Sequence, residues 1–222
     1  MKKGLLQVNW NDIEKYSQED ITYFLFLEGK SMEAISKIRG LSRDTVQTHI
    51  INGKINYGFF AKSENEKQLI RNISKAGKLD KLSLLKTLNE DLKDKLIKYI
   101  RNNYVDMYAK EKETAIWIIG ELKEKSCNDI LLKASVHKFT NVRRMSISAM
   151  GKIADLNFEV PLIRALDDEN SQVVLYAIKA LKKINSKRAI DKIEKICNSS
   201  DKDYIKKAAS VYLEDINLDN KD

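Results

Sequence analysis

The sequence predicts an all-α protein, a small helix-turn-helix domain followed by an α-solenoid of helical pairs, and three observations carry that prediction. Only 8 Gly and 1 Pro occur in 222 residues, about 4% against a usual share of about 12%. A β-sandwich or barrel needs a Gly- or Pro-rich turn every 8–12 residues or so, so the chain is starved of its turns. In the first third, apolar residues recur at spacings of three and four behind Ser and Gly punctuation, the mark of short capped helices. The second half repeats itself with a period of 31 residues, the mark of stacked helical pairs.

Taken in order, Ser17-Gln18-Glu19-Asp20 precedes the apolar positions Ile21, Phe24, Leu25 and Leu27, so a Ser-capped helix starts there and stops at Gly29. Ser31 caps a second short helix carrying Met32, Ile35 and Ile38, which Gly40 ends. Ser42 caps a third, with Val46 and Ile50 on its buried side. Two short helices about a tight glycine turn make a helix-turn-helix. Gly29-Lys30-Ser31 imitates the end of a phosphate-binding loop, but that loop needs a glycine at position 24, where Phe24 stands. Between Gly53 and Glu66 two glycines, Asn56, Ser63 and Asn65 mark a boundary, with Phe59-Phe60 docking the small domain on the solenoid. The expected division is therefore 1–62 for the helix-turn-helix domain, 63–110 for a helical connector or degenerate first repeat, and 111–222 for the solenoid.

The turn places a small residue, Ser36, four positions before Gly40 and a β-branched plug, Val46, six after it. With these in place, the string from Ile35 to Ile50 resembles the helix-turn-helix domain at the C-terminus of some RecQ-family helicases. It carries Arg39-Gly40-Leu41-Ser42, Thr45-Val46 and His49-Ile50 in that pattern. It also looks like the DNA-reading module of LuxR-type regulators, which share the Ser-x-x-Thr-Val-x-x-His core. The resemblance covers about Ile21 to Lys54 and implies that the third helix enters the major groove. The implied readers are Ser42, Arg43, Thr45, Gln47, Thr48 and His49, because Arg and Gln pair bidentately with guanine and adenine edges. Lys30, Ser31 and Lys54 are the expected phosphate contacts. Two features oppose this reading: Asp44 on the same helix repels phosphate, and His49 reads equally as a half-buried histidine bonded inside the domain. Helix-turn-helix folds also serve as protein-docking modules.

In the second half, Val142 to Ile153 aligns with Val173 to Ile184, and Ala115 to Leu122 with Ser146 to Ile153, glycine on glycine. Each repeat reads as an outer helix, a turn, and an inner helix whose small residues Ala149, Ala177, Ala180 and Ala208 allow close packing. No single pair buries its apolar stripe, so the core forms only by stacking. The segments around Pro161 and Asn141 resemble short HEAT-like repeats of the kind called PBS-lyase repeats, over roughly residues 90–216. Arg143, Arg144, Lys179, Lys182 and Lys183 fall on the inner helices as a basic face able to track phosphate.

Charge permits a nucleic-acid partner without locating one. The net +8 spreads almost evenly: 20 basic and 17 acidic residues lie in 112–222, and 9 and 7 in 1–62. The longest apolar runs, Tyr23 to Leu27 and Ala115 to Ile119, fall far short of the roughly 20 residues a bilayer span needs. A cytoplasmic location without membrane contact is the expectation. Cys127 and Cys197 form no CxxC and read as reduced core thiols. Two histidines, no glycine-rich nucleotide loop and no nucleophile elbow point away from an enzyme, a cofactor, a metal or a small-molecule substrate. Some HEAT-like solenoids resemble alkylpurine DNA glycosylases, but here Trp117 and Tyr176 have no partnered acid. Asp167-Asp168-Glu169 reads as a structural turn. The expectation is a non-enzymatic DNA-binding or regulatory protein, the helix-turn-helix on double-stranded DNA and the solenoid on an unidentified protein. The alternative is an adaptor in which both halves bind proteins.

Overall fold

The computed structural model describes residues 1–218 and is all-α apart from one two-residue hairpin, Lys2–Lys3 paired antiparallel with Leu6–Gln7. The chain forms two compact units, Met1–Ile100 and Arg101–Asp222. The division therefore falls well beyond residue 62.

In the first unit α1 spans Gln18–Leu27, α2 Met32–Arg39 and α3 Arg43–Ala61. The expected caps are in place. Ser17 and Asp20 form a reciprocal capping box, and Ser31 and Ser42 each accept an amide three residues on, from Ala34 and Thr45. Gly40 ends α2 with φ 63°, a left-handed conformation that side chains resist. The Ser36 hydroxyl donates to the Leu41 carbonyl across the turn, so the extra hydroxyl is satisfied. Ile35, Val46 and Ile50 form the buried wedge between the helices, covered by Leu25, Phe26, Met32 and Leu41. Ile38, read as part of that stripe, is instead 60% exposed.

The expected boundary at Gly53–Glu66 lies inside the first unit: α3 covers it as far as Ala61, and only the short turn at 62–65 separates α3 from the next helix. A Cβ on Gly53 would lie 2.1 Å from the Tyr23 ring, so this glycine lets α1 lie against α3 and breaks nothing. The other residues read as linker are pins. Asn56 holds α5 (Lys78–Lys86) through the Ser83 hydroxyl at 3.1 Å and the Thr87 hydroxyl at 2.9 Å. The Ser63 hydroxyl donates to the Phe59 carbonyl and accepts from Asn72 of α4 (Glu66–Lys75). Asn65 caps α4 by accepting the Gln68 amide at 3.0 Å. Phe60 is buried within this unit, its carbonyl taking the Leu5 amide. Helix α6 (Glu90–Asn103) spans the junction of the two units.

The second unit alternates inner helices α7 (Ala109–Leu122), α9 (Thr140–Ile153), α11 (Ser171–Lys183) and α13 (Asp203–Leu218) with outer helices α8 (Asn128–Ala134), α10 (Glu159–Arg164) and α12 (Ile190–Ser199). Helix α9 packs between α7 and α11, and α13 packs on α11. The repeated glycines explain the close stacking: Gly120 faces Ala149, and Gly151 faces Ala180 one repeat on, with built Cβ distances of 2.8 and 2.9 Å. The turn out of α7, α9 and α11 also recurs, through Lys123, Ala154 and Asn185 at φ 52°, 54° and 51°. Pro161 lies in the first turn of α10, where no amide donor is required. Cys127 is buried and Cys197 half-buried, both as free thiols. Among the described residues no helix is long and apolar enough to cross a membrane.

Candidate nucleic-acid interface

Helix α3 is held at its start by the Ser42 cap, at its first turn by the Val46 plug, and along its inner side by α1. Thr22 of α1, fully buried, is the hub of that contact. Its hydroxyl donates to the Gln18 carbonyl at 3.0 Å, lies 3.2 Å from His49 Nδ1, and accepts from Arg39 at 3.4 Å. Arg39 also bonds the Gln18 side chain, and Asn52 reaches the Glu19 carboxylate at 3.3 Å. These bonds fix which side of α3 faces solvent.

The exposed side carries Arg43, Asp44, Gln47, Thr48, Ile51 and Lys54. Arg43 and Gln47 lie one turn apart, so their side chains reach the same ligand surface. Arg43 makes an exposed contact of 3.4 Å with Glu33 of α2, a pair in high dielectric that a ligand displaces readily. The backbone amide of Glu33, the Ser31 hydroxyl and Arg43 together hold the Glu33 carboxyl below the usual range.

Three of the expected base readers carry bonds of their own within the domain. His49 is half-buried and bonded to Thr22 across the α1–α3 contact. Thr45 is half-buried with its hydroxyl 2.8 Å from Ser42 Oγ, and that Ser42 oxygen is occupied by the Thr45 amide. Both Ser42 and Thr45 belong to the cap. Thr48 remains exposed, its hydroxyl donating to the Asp44 carbonyl at 3.0 Å, which leaves its lone pairs open. Lys30 is exposed beside Gly29, Ser31 presents the start of α2, and Lys54 lies over the Phe26 ring at 5.3 Å.

Of the expected basic face of the solenoid, Arg143 and Lys182 are neutralised by ion pairs. Arg143 is buried, forked onto Asp168 at 2.6 and 3.1 Å, with Glu169 at 3.2 Å and the His137 carbonyl at 2.9 Å. Burial by itself raises Asp168, but the Arg143 hydrogen bonds and the Asn170 amide win and hold it below the usual carboxylate range. The segment Asp167-Asp168-Glu169, read as a structural turn, also ties repeats together: Asp168 and Glu169 take Arg143, and Asp167 pairs with Lys192. Lys152 pairs with Glu121 and Lys182 with Asp215, both at 2.6 Å, and Arg144 lies over the Tyr176 ring. Lys179 and Lys183 stay exposed on α11.

Residues 18–101 match the family model of a helix-turn-helix domain, and residues 159–214 match that of HEAT repeats. The chain joins a helix-turn-helix domain to HEAT repeats. The comparison with curated proteins finds no match. The helix-turn-helix match ends within a residue of the first compact unit, so α4 and α5 belong to that domain.

Sequence reasoning missed the aromatic base of the domain. Trp10 donates to Glu28 at 2.7 Å and meets Phe24 edge-on. Tyr16 and Tyr57 meet the same ring, each at 5.2 Å. The usable signal was the cluster of aromatic residues in α1 with Tyr57 on α3.

Proposed function

We propose that the helix-turn-helix domain reads duplex DNA through Arg43, Gln47 and Thr48, with Lys30, Ser31 and Lys54 on phosphates. The HEAT repeats serve as a scaffold for a protein partner, and neither part carries a catalytic step. The supporting observation is the exposed Arg43–Gln47 pair on a helix whose inner side is locked by Val46, His49 and Ile50. Arg43 suits a guanine edge and Gln47 an adenine edge. A protein role for the HEAT repeats is favoured by the ion pairs that consume Arg143, Lys152 and Lys182, since cations already paired release few counterions on binding DNA.

Selection of duplexes from a random pool, followed by anisotropy titration of the winner, tests the assignment. Arg43→Ala and Gln47→Ala should each weaken the selected duplex by about 1–3 kcal/mol, roughly 5- to 150-fold, and relax one base position. A pool that yields no preferred sequence, or variants that bind it unchanged, overturns it. A stoichiometric protein recovered on the HEAT repeats after nuclease treatment supports the scaffold role.

A further inference from the structure

The outer face of α3 continues beyond the DNA-reading residues into an open groove of about 680 Å³ between α3, α4 and the start of α5. From α3 it is lined at Ile51, Ile55, Gly58, Phe59 and Lys62, and from α4 at Gln68, Asn72, Lys75 and Ala76. These positions recur at three and four, so one ridge from each helix walls the groove. Between Ile51 and Lys62 the wall is about 16 Å long at 1.5 Å per residue, the length of about three helical turns.

Two independent features indicate what fits. Ile51 and Ile55 leave 49% and 47% of their surface in water, and Lys54, Lys62 and Lys75 rim the groove against one acid, Asp80. Lys62 and Lys75 make no ion pair among the described residues. Gly58 supplies the second feature. A glycine inside a helix is less favourable than alanine, and Gly53 offsets that by admitting Tyr23. Gly58 is buried along α3, yet a Cβ on it would meet nothing within 4 Å, so no neighbouring element fills the space beside it.

We propose that this groove docks an amphipathic acidic helix of a partner protein, its apolar side on Ile51, Ile55 and Phe59, its backbone close to Gly58 and its carboxylates on the lysine rim. This is helix-in-groove recognition, in which apolar anchors at helical spacing set affinity and flanking charge sets specificity. The site does not rest on DNA reading.

The test is a displayed library of 16-residue helices, apolar at i, i+4, i+7 and i+11 with Glu or Lys randomised at the flanks, panned against the intact chain. The enriched helices should be Glu-rich. The affinity for a synthetic winner, read by anisotropy, should fall at least 10-fold with Gly58→Phe and several-fold with Lys62→Ser or Lys75→Ser, two exposed changes that keep the fold. Arg43→Ala with Gln47→Ala should leave peptide binding intact, so loss of DNA binding and loss of peptide binding are read separately. Enrichment of Lys-rich helices, no enrichment at all, a winner indifferent to both Gly58→Phe and Lys62→Ser, or a groove that takes decanoate and no peptide overturns the proposal.

Discussion

Arg143 offers the sharpest separation between a structural and a nucleic-acid role for the HEAT repeats. Its side chain is 11% exposed and that of Asp168 10%, and it donates two bonds to Asp168, one to Glu169 and one each to the His137 and Lys138 carbonyls. Arg143→Ala removes all five and strands a carboxylate with little access to water. Breaking a buried pair in this way costs about 3–5 kcal/mol. The second unit spans 122 residues, for which about 4 °C of melting temperature accompanies each kcal/mol, so its transition should fall by roughly 12–20 °C. Arg143→Lys keeps the charge but not the fork and should fall less. Circular dichroism melts supply the readout, with Arg143→Ala/Asp168→Ala completing a double-mutant cycle that should show strong coupling. A variant that melts like the wild type yet loses salt-dependent DNA affinity would refute the reasoning, because Arg143 would then face phosphate.

Other outcomes rest on the same geometry. Gly53→Ala drives a methyl into the Tyr23 ring and should destabilise the helix-turn-helix domain by about 1–3 kcal/mol, whereas Gly58→Ala should stabilise it by up to about 1 kcal/mol; paired melts check both. Lys123→Gly and Ala154→Gly place glycine where non-glycine residues hold φ near 50° and should each raise stability by about 1 kcal/mol, read from urea midpoints. Asp168 has a lowered carboxyl pKa in the folded state. Its contribution is therefore complete above the unfolded value of about 3.9 and is lost as pH falls through that value and below it. In melts from pH 7 to pH 3, Asp168→Asn should start lower than the wild type and converge with it in acid; parallel curves would contradict the linkage.

Much of the helix-turn-helix was legible because its signals are local. Ser17, Ser31, Ser42 and Gly40 act within three or four residues of themselves, and the structure uses each where the pattern puts it. The 31-residue period was legible because self-similarity survives without knowledge of any contact. What escaped were assignments that depended on a particular distant partner. Asn56, Ser63 and Asn65 looked like linker because cap and turn residues are the same types, and only α4 and α5 show them to be pins. Gly53 looked like a break until Tyr23 was found against it. Arg143 and Lys182 looked like a phosphate face because their acids, Asp168 and Asp215, lie 25 and 33 positions away. His49 sat on the motif, but its partner Thr22 belongs to another helix. Positive φ at Lys123 and Ala154 had no sequence signal, since neither is a residue that favours it.

In the proposed function, DNA is held by the outer face of α3 and the start of α2, and the HEAT repeats take no part. The most direct measurement is the salt dependence of affinity for a selected duplex, since each phosphate contact contributes about 0.9 to the slope of log K against log salt. Lys30→Ala should lower that slope by about one while Lys179→Glu with Lys183→Glu leaves it unchanged. Absence of salt-dependent binding at low ionic strength, or a slope that falls only with the α11 pair, would contradict it.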